Sequence, residues 1–412
     1  MKIGIIAPGI WGTAFLDTAT MLARLGHAVS VYTDGARAPS ASRFLRLRED
    51  GVDFYVIHNT RRNPWVLAFD KLAKPLLGRR FFTTLVALYR YFRQTADCDI
   101  YLIESDWMGL FVGLIRRVRR FRWVVGVHDT DHLRIALDFP GRPHEPWMQR
   151  AKLWVLNACD GVRANSCVTR DALIEGGVRA DRIAVIPLHI SDWRLSRENL
   201  GAYRPEARRS IFERYAYPAD TRLLIVMCRL ASVKGLELAV EALPQVLQCY
   251  PSARLLICGP DRIIPGMGSY RQMLEAAAER AGIADKLHFP GNIEIPELRL
   301  HLAAADLHLA PSHIDTFSYS VVEATLAGTR SVVSDKVGVA PWMLEAGAGR
   351  VVSGRDPARW AEAICAELGR VPVASEIAAF VRKLEEQLDC EKISRELAAF
   401  FASLIETGAK RA

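Results

Sequence analysis

The chain predicts an α/β protein built from two Rossmann-like, doubly wound domains. Three observations carry that expectation. The opening, Lys2 to Gly35, reads as a strand, a glycine-containing turn, a helix and a second strand. Short apolar runs rich in Val and Ile then alternate with helical stretches through most of the 412 residues. The same alternation restarts at Arg222, which splits the chain into halves of similar size. Continuous apolar strands suit a parallel sheet, whose two faces are both covered by helices.

In the first half, Ile3, Ile5 and Ile6 make an unbroken apolar strand, Gly26 caps the following helix, and Val29 and Val31 begin the next strand. Further strands are read at Asp53–His58, Cys98–Ser105, Arg122–Thr130, Val162–Ser166 and Arg182–Leu188. The stretch Ser191–Arg209 is polar, rich in Arg and Glu and poor in helical pattern, so it reads as a linker. The second half carries strands at Arg222–Leu230, Arg254–Pro260, Lys286–Ile293, from Asp306, and at Ser331–Asp335. Helices are expected from Leu236 and over Arg271–Ala281, and the stretch Glu297–Ala304 precedes the central strand at Asp306. From Glu376 onward, Phe380, Val381, Leu384, Leu388, Leu397, Phe400 and Leu404 recur at helical spacing. The expected division is residues 1–190, 191–375, and a helical segment 376–412 packing back towards the first domain.

Composition narrows the function classes. Met1 and Lys2 run straight into an apolar strand, so no signal peptide is expected, and the nine apolar residues Trp107–Ile115 fall well short of a membrane span. Eight scattered cysteines, without C-x-x-C or His-paired spacing, point to reduced thiols in a cytoplasmic protein and away from a zinc site. The net charge of +8 is uneven: Arg61–Arg120 holds twelve Lys/Arg against five Asp/Glu, and Arg222–Arg299 nine against eight. Two basic-aromatic clusters, Arg79–Gln94 and Arg116–Trp123, read either as solvated helix faces or as a patch for anionic lipid headgroups or an anionic acceptor. Nucleic acid is not expected, because no recognised binding module accompanies the charge.

Chemistry concentrates in Pro311–Gly328. Leu307, Leu309 and Ala310 form a buried strand that Pro311 stops, Ser312–Asp315 turn, and a helix is expected from Thr316 to Leu326, closed by Gly328. Asp315 in the loop and Glu323, two turns into that helix, could address two ends of one ligand. The N–H groups of Thr316, Phe317 and Ser318 would sit at a helix N-terminus, where a diphosphate is favoured. The alternative is an N-capping Asp and a solvated Glu. At the other end of the chain, Ala7-Pro-Gly9-Ile-Trp-Gly12 approaches G-x-G-x-x-G, and Asp34 ends the second strand where a ribose-binding acid belongs. With Ala7 in place of the first glycine, that fingerprint supports an NAD(P)-dependent oxidoreductase only as an alternative.

Two such domains, with most polar signatures in the second, resemble the GT-B glycosyltransferases, and retaining glycosyltransferase family 4 (glycosyl transferases group 1) in particular. Arg229-Leu-Ala-Ser-Val-Lys234-Gly235 resembles that family's R-x4-K-G segment, and Asp315 and Glu323 fall where it carries E-x7-E. Cys258-Gly-Pro, His288-Phe-Pro-Gly291, Glu297-Leu, Ala305-Asp306, Pro311-Ser312, Thr316-Phe317 and Glu323-Ala match in order and spacing. In the first domain the Gly12 turn and Val127-His128-Asp129 match a glycine loop and a V-x-H-D strand end.

The resemblance implies a metal-independent transferase that closes its two domains across a deep cleft over a nucleotide sugar and retains anomeric configuration. Without a metal, Arg229 and Lys234 would stabilise the diphosphate leaving group together with the amides of Thr316, Phe317 and Ser318. Glu323 would accept from the ribose hydroxyls, Asp315 from the donor sugar, and His128 would contact that sugar at the reacting centre. Gly12 would let its loop approach the diphosphate or acceptor, and backbone near Gly291 and Asn292 would read the base. His308, inside a strand, reads as a packed core histidine; His189 and His313 are left outside the site.

The chain departs from the pattern at several points. Asp315 is one methylene shorter than the family Glu, Cys228 replaces a Gly, and Trp11 and Ser318 stand where glycines are common. Leu188-His189 replaces Asn-Gly, and Gly338-Val-Ala-Pro341-Trp342 lacks the Glu that often follows the Pro. A non-catalytic sugar-nucleotide-binding protein is therefore a further alternative. The expected activity is transfer from a UDP- or GDP-sugar to an acceptor, preferably lipid-linked or envelope polysaccharide, in the cytoplasm or on the inner face of the membrane.

Overall fold

Eight strands form the first sheet of the computed structural model, which describes residues 1–7, 14–34, 45–57, 65, 68–72, 81–104, 106–128, 146–190, 200–264, 268–371 and 374–409. They are β1 (Lys2–Ile6), β2 (Ala28–Asp34), β3 (Leu45–Glu49), β4 (Val52–Ile57), β5 (Ile100–Ile103), β6 (Trp123–Val127), β7 (Gly161–Ala164) and β8 (Ile183–Val185). Their order is β3-β4-β2-β1-β5-β6-β7-β8. Every pairing is parallel except β3 on β4. β1, β5 and β6 are buried on nearly every residue, the burial that their unbroken apolar sequences require.

A second sheet holds β9 (Arg222–Met227), β10 (Ala253–Cys258), β13 (Leu287–Gly291), β14 (Leu307–Ala310), β15 (Ser331–Ser334) and β16 (Gly349–Val352), all parallel, in the order β13-β10-β9-β14-β15-β16. A two-stranded hairpin, β11 (Ile263–Ile264) with β12 (Gly268–Ser269), stands apart. Strand order reverses between β1 and β5 in one sheet and between β9 and β14 in the other. In doubly wound sheets such reversals open a crevice beyond the carboxyl ends of the strands, and ligands bind there.

The chain divides into two units. One takes the described residues up to 190 and those from Leu388 on; the other runs from 200 to Gln387. The C-terminal segment expected over 376–412 is thus split at Gln387. The helix Ala374–Gln387 stays with the second unit, where Arg370 pairs with Glu376 and Lys383 with Glu345 at 2.7 Å. Asp389 then starts a new helix, Cys390–Ala409, by accepting from Lys392 N at 2.7 Å. That helix inserts Ile393, Leu397 and Phe401 into the core of the first unit beside Ile3, Ile5, Val29 and Ile186. Three such side chains contribute roughly 2 kcal/mol each by burial.

The expected linker Ser191–Arg209 is also corrected. From Leu200 it is already the helix Leu200–Arg214, which buries Ala207, Ile211 and Phe212 against Leu223, Ile225 and Leu302. Its arginines misled the reading because they bond inward. Arg204 donates to Ala305 O at 2.7 Å, and Arg208 to Thr221 O at 2.7 Å and Asp306 Oδ2 at 3.0 Å. Within the described residues, no helix is long and apolar enough to cross a membrane.

Candidate functional site

Two groups of polar side chains gather at strand ends, one in each unit. In the second unit, β9 runs out through Cys228 and Arg229 into a single helical turn, Ser232–Lys234. Gly235 follows with φ +60°, and a Cβ there would lie 2.2 Å from Pro311 O, so glycine is what lets this loop close on the loop after β14. His313 N donates to Val233 O at 2.9 Å and laces the two loops together. The result places Lys234 Nζ 2.5 Å from Asp315 Oδ2, with side chains only 17% and 11% exposed. Burial alone would lower the Lys234 ammonium; Asp315 outweighs it and holds the group above its usual range.

Arg229 is exposed and, among the described residues, has neither a hydrogen-bond nor an ion-pair partner. Its charge reaches both Lys234 and Cys228. Burial pushes the Cys228 thiol up to about 11 against the pull of those two cations, so it stays neutral beside them. The cluster therefore holds two cations against one internal carboxylate.

The loop after β14 differs from expectation. The helix is Tyr319–Leu326, not Thr316–Leu326. Thr316, Phe317 and Ser318 are buried and lie outside the helix, because the backbone on either side of Thr316 bonds to the turn after β15: Asp315 N donates to Lys336 O at 3.0 Å, Gly338 N to Asp315 O at 3.0 Å and Val339 N to Phe317 O at 3.1 Å. Ser318 turns the chain into the helix at φ 73°, a left-handed conformation that disfavours a side chain, and it makes no side-chain cap. Phe317 N faces Asp315 Oδ1 at 3.4 Å. The helix N-terminus thus lies at Ser318–Ser320, later than the Thr316–Ser318 amides expected, and Glu323 sits half-buried about one turn into the helix, not two. Trp342, one of the departures noted above, packs edge-on against Phe317 at 5.6 Å.

Gly291 (φ +84°) closes β13 and accepts from Gly259 N at 2.7 Å, and Asn292 beyond it is exposed. Both lie two strands over from β9, and no hydrogen bond among the described residues joins them to Lys234 or Asp315. Gly12, Trp11 and the rest of the turn from Pro8 to Thr13 fall outside the described residues, as does Asp129.

In the first unit, His128 leaves the end of β6. Its Nε2 is hydrogen-bonded to Glu104 Oε2 at the end of β5, and its Nδ1 lies 2.7 Å from Asn165 Oδ1 at the end of β7. Phe15 packs on the ring at 5.1 Å between centroids. Behind them Arg163, fully buried inside β7, donates from Nη1 to Glu104 Oε1 at 3.1 Å and from Nε to Ile186 O at 3.0 Å. Burial works to raise the Glu104 carboxyl, but His128 and Arg163 outweigh it and hold the group below the usual range.

The remaining histidines sort by burial. His308 is buried within β14 with Nδ1 3.0 Å from Ser331 Oγ, and burial drives its imidazole down to about 3, as a packed core histidine requires. His189 Nδ1 lies 3.1 Å from Leu388 O, inside the first unit. His313 Nε2 is 2.6 Å from Glu237 Oε1 and 3.0 Å from Arg355 Nη2.

Sequence reasoning missed Glu104, Arg163, Asn165 and Glu237. Glu104 had a signal, a lone acid closing the apolar run Ile100–Ile103, and Asn165 ends β7 in the same way. Arg163 was visible as a charge inside a four-residue buried strand. Glu237 had none, being an acid in the first turn of a helix. The basic-aromatic clusters are corrected in part. Tyr91, Phe92 and Trp123 are core residues, and Phe92 stacks on Phe121 at 4.6 Å, so Tyr89 is the prominently exposed ring among the described residues of the two clusters.

Comparison with known proteins adds three findings. The model described as Glycosyl transferases group 1 matches residues 207–368, and that described as Glycosyltransferase Family 4 matches residues 12–193. Among curated relatives, the D-inositol 3-phosphate glycosyltransferase of Geodermatophilus obscurus is 28% identical over 314 residues, 73% of this chain and 67% of that protein. The enzyme of the same name from Corynebacterium urealyticum is 26% identical over 397 residues, 94% and 89% of the two chains. Other matches of that name, from Acidothermus cellulolyticus and Xylanimonas cellulosilytica, span 62% and 59% of the relative's length. Among solved structures, sucrose-phosphate synthase from Thermosynechococcus elongatus superposes with a TM-score of 0.71 at 17% identity, covering 99% and 100% of the chains. The Anabaena protein HepE, in complex with UDP and glucose, gives 0.68 at 18%, covering 98% and 100%.

Proposed function

The chain belongs to the group 1, family 4 glycosyltransferases of GT-B fold, and we propose that within that family it moves a sugar from a nucleoside-diphosphate donor, UDP- or GDP-linked, with retention of configuration and without a metal. The observation that carries the reading is the Arg229–Lys234–Asp315 cluster at the strand-order reversal of the second sheet. An exposed arginine beside a buried, already paired lysine leaves net positive charge to meet a diphosphate, and the uncapped helix start at Ser318 adds a favourable dipole. Asp315 serves two partners in this reading. It holds Lys234 in place, and its shorter side chain leaves the donor-sugar end of the pocket one methylene wider than a Glu would. Glu323 would accept from the ribose hydroxyls. Support from outside the chain comes from HepE, which carries UDP and glucose in its solved complex.

The acceptor side belongs to the first unit, around His128. A lipid-linked or envelope-polysaccharide acceptor fits the basic surface left by Arg90, Arg93, Arg117 and Arg120, all exposed. The protein would then work in the cytoplasm, held to the inner membrane face by charge. The oxidoreductase alternative draws nothing from the family matches.

A thermal-shift panel without added metal tests the proposal, using UDP, GDP, ADP, TDP, NAD and NADP. Stabilisation by one nucleoside diphosphate assigns the donor class. Stabilisation by NAD or NADP alone overturns the transferase reading, and nucleotide binding without any sugar turnover would leave a binding protein in its place.

A further inference from the structure

We infer that Glu104 is a positioning residue for His128, fixing the ring orientation and the nitrogen that carries its proton. This inference rests on the transferase reading, since it assigns a role at that reaction's centre. The geometry begins with a glycine. Residues 126 and 128 project from the same face of β6, and a Cβ at Gly126 would lie 2.0 Å from Glu104 Oε2 and 2.4 Å from His128 Nε2. The space that a side chain at 126 would fill is occupied by the His–Glu hydrogen bond itself. Gly126 sits inside a fully buried strand, where glycine otherwise weakens the structure. It is there because the imidazole folds back over the backbone to reach Glu104.

Glu104 in turn is held from behind. Its side chain is 2% exposed, Oε1 accepts from Arg163, and Arg163 is anchored by carbonyls at Ile186 and Pro187 beyond β8. With Arg163 keeping the carboxylate ionised, both oxygens are acceptors, so the proton on the shared bond belongs to His128 Nε2. Nδ1 is then the acceptor, a role the Asn165 carboxamide serves with its NH2 when the amide is turned end for end, and Phe15 on the ring face completes the seat. A carboxylate that orients a histidine and sets its tautomer acts through that histidine, not on the substrate.

Glu104→Gln keeps the volume but offers one acceptor and one donor where two acceptors are needed, so either Arg163 or His128 loses its bond. Turnover is read as nucleoside-diphosphate release from UDP-glucose and GDP-mannose, and the tautomer is read from imidazole 15N spectra, with the His128 signal assigned by its loss in His128→Gln. The expected result is a kcat reduced ten-fold or more with KM for the donor within three-fold. The His128 signal should move from a single Nε2–H form to a mixture of tautomers. Glu104→Asp, which keeps both acceptors, should restore a large part of kcat, and Gly126→Ala should reproduce the tautomer mixture with Glu104 intact. An unchanged His128 signal in Glu104→Gln, or a variant that merely melts earlier with kcat preserved, would overturn the inference. If the wild-type chain releases no nucleotide from either sugar, the transferase reading fails while the spectra still decide whether Glu104 sets the ring.

Discussion

Replacing Arg229 by alanine separates the two cations of the second unit. Arg229 is exposed and without a partner among the described residues, so its loss should change the stability of the ligand-free protein by less than about 0.5 kcal/mol. Its guanidinium, if it meets a diphosphate, contributes charge-assisted hydrogen bonds of roughly 1.5–3 kcal/mol. Near the top of that range the loss is about 100-fold in Kd. Nucleotide at about 100 times Kd stabilises the wild-type protein by about 2.7 kcal/mol, and the same concentration stabilises the variant by about 0.4 kcal/mol. For a unit near 200 residues, that takes the shift in Tm from roughly 5–10 °C to about 1 °C. Lys234→Ala should behave differently, because it strands the Asp315 carboxylate, 11% exposed, without its counter-charge. It should lower the stability of the free protein by on the order of 3 kcal/mol. Differential scanning fluorimetry of both variants, with and without the nucleoside diphosphate chosen by the panel, makes the comparison. A full ligand shift in Arg229→Ala, or a free-protein melting point as depressed as that of Lys234→Ala, would refute the division of labour.

Three other outcomes are expected. Ser318→Gly removes a left-handed cost of about 1–2 kcal/mol and adds about 0.5–1 kcal/mol of chain entropy, so urea unfolding should show a net gain of about 0.5–1 kcal/mol. The His308 imidazole is driven down to about 3 by burial, so its contribution is present above pH 6.5 and is lost as pH falls towards 3, at up to about 1.4 kcal/mol per pH unit. Urea midpoints measured from pH 7 to pH 4.5 should therefore fall more steeply for the wild type than for His308→Asn, and parallel curves would contradict it. Co-sedimentation with anionic vesicles should weaken between low and physiological salt and drop further when Arg117 and Arg120 become Gln; indifference to lipid charge would remove the membrane from the picture.

Much of the fold was legible because the parallel strands are apolar throughout, and the run of residues that builds β1, β6 or β9 suits little else. The helix Leu200–Arg214 was not, because its stabilising contacts run from arginine side chains to carbonyls more than ninety residues away, at Ala304 and Ala305. The start of the helix at Tyr319 was misplaced for a related reason. Asp315 and Phe317 are held out of the helix by backbone bonds to Lys336, Gly338 and Val339, partners that local pattern cannot reveal. At the site, Arg229, Lys234, Asp315 and His128 were visible as polar residues in fixed spacing at strand ends. Glu104 and Arg163 left a signal that went unread, because each looks like an isolated charge until β5, β6 and β7 are set side by side.

The helix Cys390–Ala409 gives the first unit a peculiar birth order. Its nucleus of Ile3, Ile5, Val29 and Ile186 is translated early, yet the side chains that cover it, Ile393, Leu397 and Phe401, emerge only after the whole second unit. At roughly 5–20 residues per second, the intervening stretch of about 200 residues keeps that apolar face waiting on the order of 10–40 s. A ribosome stalled within the second unit would therefore display every strand of the first and still leave it sticky, an exposure that a chaperone, or a slow second unit, would have to survive.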